Sequence, residues 1–228
     1  MMKTISVWDI PVRLFHWSLA TSILMSFITA QIGGNAMEWH KRIGYFVIGL
    51  ILFRVVWGFV GSYHARFKNF VYAPATVINY AKNLFKKDSA HYVGHNPMGG
   101  LSVVALIASV GLQTVTGLFS NDDILLEGPY ASMVSKAFSD QMTRLHQLNS
   151  DLILILVGLH LSAIVFYAMF KKEQLIEAML TGKKDIDPSI DGQFEAEMPE
   201  EARSAWLPWS IIVVVGGVTY ALVTRVFF

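Results

Sequence analysis

Five apolar runs limit what this chain can fold into. Each is about 20 residues or longer, the length of helix that crosses a hydrocarbon core of about 30 Å. Hydrophobic residues make up 54% of the chain and charged residues 15%, and the apolar residues are gathered in these runs rather than alternating with polar ones. The runs are Val12–Ile32, Trp39–Val60, Met98–Phe119, Leu148–Phe170 and Trp206–Phe227. The sequence therefore predicts an all-α integral membrane protein surrounded by a lipid bilayer.

Composition excludes several classes of protein and site. The chain has no cysteine, which rules out disulfides, thiolate zinc sites, cysteine-held iron–sulfur clusters and covalently attached c-type haem. Its net charge is +1 and no basic run alternates with aromatic residues, so nucleic acid is not a predicted partner. The first run could be mistaken for a signal peptide. Because Asp9, Arg13 and His16 enter it early and four more runs follow, we predict a retained helix.

The distribution of positive charge predicts the topology. Basic residues are concentrated before the first run, between the second and third, and between the fourth and fifth. The connection between the third and fourth runs instead begins with Asp122, Asp123 and Glu127. Since Lys and Arg stay on the cytoplasmic side, the N-terminus is predicted inside and the C-terminus outside. Lys41 and Arg42, at the outer start of the second run, are the exception.

Four of the seven histidines lie within these runs or at their edges. They are His16, His40, His146 and His160. An imidazole in hydrocarbon is costly and rare, so each is a candidate functional residue. A single one could equally serve as a hydrogen bond between helices.

The spacing of the four histidines indicates more about function than the presence of any one of them. His146 and His160 are 14 residues apart, nearly four helical turns, so both leave one face of the helix about 21 Å apart. With the predicted topology, His40 lies at the depth of His146 and His16 at that of His160. That separation forbids a shared zinc or copper site, and two histidines alone are incomplete for zinc. Each pair can instead bind one iron of a non-covalent haem b from opposite sides, which predicts two bis-histidine haems suited to electron transfer.

Small residues near the ligands could admit a flat macrocycle. Gly44 follows His40 by one turn and Gly158 lies beside His160, with Gly111 and Gly117 on the third run. Ordinary helix packing explains the same glycines equally well.

Three arginines are candidates for pairing with haem propionates. Arg13 precedes His16 by one turn, Arg42 follows His40 by two residues, and Arg54 lies 14 residues after His40 on the same helical face. An unpaired arginine at that depth costs at least about 2.5 kcal/mol. The alternative for Arg54 is a side chain that extends to the inner membrane surface.

A quinone site is predicted at the inner start of the third run. His95 and Asn96 could present polar groups to a quinone, and His95 could carry its proton. The alternative for His95 is that it serves only as a helix-entry residue beside the Asn96-Pro97 start.

Several segments resemble the bacterial cytochrome b561 and nickel-hydrogenase cytochrome b family. They are VWDIPVRLFHW (7–17), HKRIGYFVIGLILFRVVWG (40–58), GHNPMGG (94–100), TGLFSNDDILLEGP (116–129) and the His146/His160 pair, so the resemblance covers residues 7 to about 184. It implies a two-haem, four-helix subunit of the bacterial inner membrane that exchanges electrons with quinone and a periplasmic hydrogenase or c-type cytochrome. It also implies His16, His40, His146 and His160 as axial ligands. The NDDILLEGP loop is more similar to the branch that works with c-type cytochromes.

The sequence thus predicts a four-helix transmembrane bundle binding two haems, plus a fifth C-terminal transmembrane helix. Residues 1–184 form the cytochrome b domain, 185–205 a cytoplasmic linker and 206–228 the extra helix. The predicted function is electron transfer across the membrane between the quinone pool and a periplasmic partner, in a respiratory chain. Whether this makes the protein part of a quinol:cytochrome c-type oxidoreductase is open, as is homo-oligomer formation. The alternatives are the cytochrome b anchor of a nickel–iron hydrogenase and, from another class, a haem-free transporter with a histidine relay.

Overall fold

Helices dominate the fold. A computed structural model describes residues 3–85, 92–124, 126–186 and 206–224. Its α-helices are α1 (Ile10–Ile32), α2 (Ala36–Val60), α3 (Pro74–Asn83), α4 (Pro97–Phe119), α5 (Lys136–Phe166), α6 (Leu175–Thr181) and α7 (Leu207–Thr224). The prediction of a helical membrane protein is confirmed.

Four of the described helices are long and apolar enough to cross a membrane. They are α2, α4, α5 together with the turn that follows it to Lys171, and α7. They match the second to fifth predicted runs, and α7 is the predicted C-terminal helix. The first predicted run forms α1, a helix of 23 residues. It is not among these four, so the first predicted membrane span stays a prediction.

The helix α5 begins well before the predicted run. The run was placed from Leu148, whereas the helix starts at Lys136. Its first three turns carry many polar residues, so a search for apolar runs does not detect them. The backbone hydrogen bonds of the helix nevertheless continue through these turns. A π-helical turn, Tyr167–Lys171, ends the helix, and Lys172 adopts a left-handed conformation with φ of 59°.

A short two-stranded sheet was not predicted. The strands β1 (Lys3–Ser6) and β2 (Lys183–Ile186) pair antiparallel, with Lys3 opposite Ile186 and Ser6 opposite Lys183. The predicted linker therefore loses Asp185 and Ile186 to the sheet, while its remainder, 187–205, lies outside the described residues. Four-residue strands are too short to show a sequence period.

The chain divides into two compact units. The first consists of the described residues of Met1–Leu14, Val55–Ala105 and Leu156–Ala205. The second consists of those of Phe15–Arg54, Leu106–Ile155 and Trp206–Phe228. The predicted cytoplasmic segments all fall in the first unit, and the predicted periplasmic loops fall in the second.

Asp9 joins two helix ends in the first unit. One carboxylate oxygen accepts the backbone N–H of Val12 (2.7 Å), which caps the start of α1. The other accepts the indole N–H of Trp57 near the end of α2 (3.0 Å). The carboxylate therefore sets how α1 begins relative to the last turn of α2.

In the second unit α7 packs against α2 and the loop before α5. A Cβ on Gly49 would lie 3.4 Å from the Thr219 hydroxyl oxygen, so the two helices approach closely there. The Tyr130 hydroxyl donates to the Leu222 carbonyl at 2.7 Å. The extra C-terminal helix is thus a packed part of this unit.

Candidate metal centre

His40 and His146 lie close to each other in the second unit. Their ring centres are 6.1 Å apart and the ring planes make an angle of 76°. Two imidazoles bound through Nε2 at about 2 Å from opposite sides of one metal have ring centres about 6 Å apart. The structure therefore brings together the pair predicted from depth, at a separation that fits one iron between them.

Hydrogen bonds orient both rings. The Nδ1 of His40 donates to the Ser26 carbonyl on α1 (2.9 Å), and that of His146 donates to the Gln113 carbonyl on α4 (3.0 Å). The Thr116 hydroxyl lies 3.1 Å from the same His146 nitrogen. A carbonyl can only accept, so each Nδ1 carries the hydrogen. In a neutral ring the lone pair is then on Nε2, the form that binds a metal.

A buried polar cluster fixes the helix segment that carries the Gln113 carbonyl. Asn149 donates to the Gln113 side-chain oxygen (2.7 Å) and to the Ser109 carbonyl (2.9 Å), and it accepts from the Ser109 hydroxyl (2.9 Å). Asn149 is 3% exposed and Ser109 is 6% exposed. We call Ser109, Gln113 and Asn149 the Asn149 cluster. Sequence reasoning missed it, although an asparagine and a glutamine inside apolar runs are a visible signal.

The glycines differ in what surrounds them. A Cβ on Gly117 would lie 3.1 Å from Cε1 of His146, so this glycine admits the imidazole itself. Among the described residues, a Cβ on Gly44 or Gly158 would meet nothing within 4 Å, which is compatible with an adjacent macrocycle. Gly111 lies beside Ile51, at 3.9 Å from its Cγ2.

The other predicted pair is divided between the units. His16 belongs to the second unit, where its ring meets the Trp17 ring edge-on at 5.0 Å between centres. His160 belongs to the first unit and is partly buried. Their pairing stays a prediction.

The three arginines lie in different surroundings. Arg13 donates from Nη2 to the Leu180 carbonyl at the end of α6. Arg42 contacts Glu38 at 3.3 Å and lies over the Trp39 ring, with 61% of its side chain exposed. A residue two positions after His40 points about 200° away from it on a helix, which explains this outward placement. Arg54 is 3% exposed, and such burial disfavours an extended side chain at the membrane surface.

The predicted quinone residues lie in the first unit. His95 is between the rings of Trp8 (4.6 Å) and Phe70 (4.8 Å). The Asn96 side chain accepts the Gly99 N–H (2.8 Å), which caps α4, and donates to the Tyr167 hydroxyl (2.9 Å). Asn96 therefore acts as a helix cap, a role that the sequence analysis did not assign to it.

Two tyrosines extend this contact into a second polar cluster. The hydroxyls of Tyr80 and Tyr167 are 2.9 Å apart, and Tyr167 also accepts from Asn96. Burial raises the pKa of Tyr80, and the hydrogen bond to Tyr167 adds to that shift. We call Tyr80, Asn96 and Tyr167 the tyrosine cluster.

His64 is a partly buried histidine that sequence reasoning did not use. Its ring packs against Tyr63 (5.2 Å between centres) and Trp8 (6.2 Å), and a Cβ on Gly94 would lie 2.7 Å from its Nδ1. Burial lowers the pKa of His64 to about 4, with a smaller contribution from the Lys184 ammonium.

Comparison with known families identifies the chain. The model of the prokaryotic cytochrome b561 family matches residues 7–182. The chain belongs to that family. The resemblance stated from the sequence is thereby confirmed, and membership implies haem b in a multi-pass membrane protein.

Relatives of this cytochrome b561 family member carry the name "Probable Ni/Fe-hydrogenase B-type cytochrome subunit". The protein from Bradyrhizobium diazoefficiens is 24% identical over 221 residues, covering 80% of this chain and 87% of the relative. The Azotobacter vinelandii protein is 25% identical over 209 residues, covering 77% and 86%. The Rhodobacter capsulatus protein is 22% identical over 219 residues, covering 79% and 81%. No solved structure matches the chain.

The residues present fit a haem. His40 and His146 are spaced for one iron and present Nε2 lone pairs. Gly44 leaves open space one turn from His40. Two histidine nitrogens are a ligand set that would hold a b-type haem.

Proposed function

We propose that this protein is a di-haem b-type cytochrome that transfers electrons across the bacterial inner membrane. The observation that carries the proposal is the 6.1 Å separation of the His40 and His146 rings, with both Nδ1 atoms bonded to backbone carbonyls. Such rings are oriented and spaced for a metal. Membership of the cytochrome b561 family argues against the histidine-relay transporter.

Each haem, when bound, supplies an iron that gains or loses one electron. The chain's part would be to hold it: His40 and His146 would hold one haem, and His16 and His160 the other. With two histidines assigned to each haem, the group would supply electron transfer rather than oxygen binding. Gly44 and Gly158 leave room for the macrocycles.

Propionates complete the proposed haem contacts. Arg54 is the best-supported partner because it is 3% exposed and lies on α2, 14 residues after His40. Arg13 and Arg42 stay in the proposal with weaker support, since Arg13 also binds the Leu180 carbonyl and Arg42 also pairs with Glu38.

The electron donor or acceptor inside the membrane is proposed to be a quinone. His95 lies in the first unit at the start of α4, where its imidazole can exchange the proton that accompanies quinone chemistry. Asn96 would have to exchange its bond to Tyr167 for one to the quinone.

The proposed partner on the periplasmic side is a redox protein. The names of the relatives favour a nickel–iron hydrogenase, for which this chain would be the cytochrome b anchor. A c-type cytochrome is the other candidate and would make the pair a quinol:cytochrome c-type oxidoreductase. The proposed orientation has the N-terminus in the cytoplasm and the C-terminus in the periplasm, which the distribution of basic segments favours.

Haem content tests the central proposal. Purified protein should contain two non-covalent haems per chain with a reducible b-type spectrum. His40→Ala and His146→Ala should each remove one haem, and it should be the same haem in both variants. His64→Gln changes a partly buried histidine outside the proposed ligand set and should keep both haems. A colourless protein, or a spectrum that neither ligand variant changes, would overturn the proposal.

Electron donors distinguish the partners. In native membranes, hydrogen gas should reduce the b-type haems if a hydrogenase is attached, and chain deletion should uncouple hydrogen oxidation from quinone reduction. Reduction by a reduced c-type cytochrome, with no response to hydrogen, would favour the other partner.

A further inference from the structure

We propose that the Asn149 cluster and Gly117 hold the His146 ring nearly perpendicular to the His40 ring, and so set the electronic state of the haem between them. This inference rests on the proposed function. It assigns positioning roles to residues that do not themselves touch the iron.

The angle is built from two independent anchors. The His40 ring is tied to the Ser26 carbonyl of α1, and the His146 ring to the Gln113 carbonyl of α4. Each ring would break its own hydrogen bond if it rotated about its Nε2 axis. Because the two acceptors belong to different helices, the two ring orientations are fixed independently. The 76° between the planes is therefore a property of the helix arrangement.

Gly117 fixes where the His146 ring lies. A Cβ at this position would be 3.1 Å from Cε1 and 3.4 Å from Nδ1 of the imidazole. The ring is thus in close contact with the α4 backbone, and a methyl group there would have to push it aside.

The Asn149 cluster holds α4 in place for that contact. Asn149 follows His146 by three residues, so both lie on neighbouring turns of α5. Its three hydrogen bonds to Ser109 and Gln113 join α5 to the turns of α4 before the Gln113 carbonyl. Without these bonds, the segment of α4 that carries the Gln113 carbonyl could shift, and the His146 ring bonded to it would shift as well.

The angle has a spectroscopic consequence. Parallel imidazoles donate electron density to the same iron d orbital and split a pair of orbitals that perpendicular imidazoles leave nearly equal in energy. A nearly degenerate pair gives oxidised low-spin iron a strongly anisotropic electron paramagnetic resonance signal, whereas parallel planes give a rhombic three-line signal. The same orbital energies contribute to the midpoint potential.

Electron paramagnetic resonance of the oxidised holoprotein tests the proposal. The unmodified protein should show a strongly anisotropic low-spin signal. Gly117→Ala should make that signal more rhombic and shift one midpoint potential, and this variant suits the test because alanine favours a helix. Asn149→Leu should broaden or convert the same signal, since leucine keeps the branching and the number of side-chain heavy atoms but cannot form the hydrogen bonds.

The matched control is Ser139→Ala. Ser139 is also buried on α5 and its hydroxyl bonds the Phe119 carbonyl at the end of α4, away from His146. It should leave signal and potentials unchanged. Two bound haems with only rhombic signals would overturn the inference while leaving the proposed function intact. So would an anisotropic signal that neither Gly117→Ala nor Asn149→Leu changes, whereas absence of haem would overturn both.

Discussion

Each unit contains a buried polar cluster, and the two clusters serve different ends. In the second unit the Asn149 cluster joins α4 to α5 and supports the carbonyl that orients His146. In the first unit the tyrosine cluster joins α3, the end of α5 and the cap of α4. Both satisfy groups that would be costly to bury alone. Burial and hydrogen bonding therefore identify polar groups that matter for stability. Hydrogen bonds that lead from such a group to a candidate ligand are the further sign of a role in function.

The largest expected effect separates the clusters by cofactor content. His146→Ala removes a proposed ligand next to the Asn149 cluster, so haem content should fall from two to one per chain. Tyr167→Phe removes the central hydroxyl of the tyrosine cluster and should leave both haems. Haem extraction and the reduced-minus-oxidised spectrum measure this. Equal haem loss in both variants would erase the proposed distinction.

Removal of the asparagine amide from either cluster should lower the free energy of unfolding. Only removal from the Asn149 cluster should change the haem spectrum. Asn149→Leu leaves Ser109 and Gln113 groups unsatisfied and should destabilise the protein by about 1–3 kcal/mol. Asn96→Leu loses a helix cap worth about 1 kcal/mol. Unfolding in detergent gives the energies, and the haem spectrum should change only for Asn149→Leu. A spectral change in Asn96→Leu alone would reverse the assignment.

Acid should weaken the first unit through His64. Its folded pKa is about 4 against an ordinary value of 6.5, because burial disfavours the charged ring. Below pH 6.5 the unfolded chain binds a proton that the folded chain refuses, so stability is complete above that pH and falls as the pH drops toward 4. Thermal unfolding across this range measures the slope. His64→Gln should flatten it, and an unchanged slope would exclude His64 as the cause.

The smallest effect concerns a single hydroxyl. Tyr80→Phe removes the bond to Tyr167 and should lower the free energy of unfolding by about 0.5–1.5 kcal/mol, with haem content and midpoint potentials unchanged. Potentiometric titration beside a denaturation curve would check both parts. A shifted potential would mean that the tyrosine cluster also acts on a haem.

Local patterns were enough to predict four long helices and the proximity of His40 and His146. Apolar runs of helical length located α2, α4, α5 and α7, since the span follows from composition alone. The pairing of His40 with His146 followed from helical spacing and charge distribution. The weaker predictions were those that depended on where a flexible side chain points, as with Arg13 and Arg42.

By itself the sequence determined that this protein is a membrane-spanning helical cytochrome of the b561 family with histidines spaced for haem. Only the tertiary structure decided that β1 pairs with β2, that Arg13 reaches the Leu180 carbonyl and that Asn149 bonds Ser109 and Gln113. The physical reason is that the apolar character of a helix and the spacing of residues along it depend on one local stretch of sequence. A hydrogen bond between residues some 36 to 181 positions apart depends on how separate helices and strands pack.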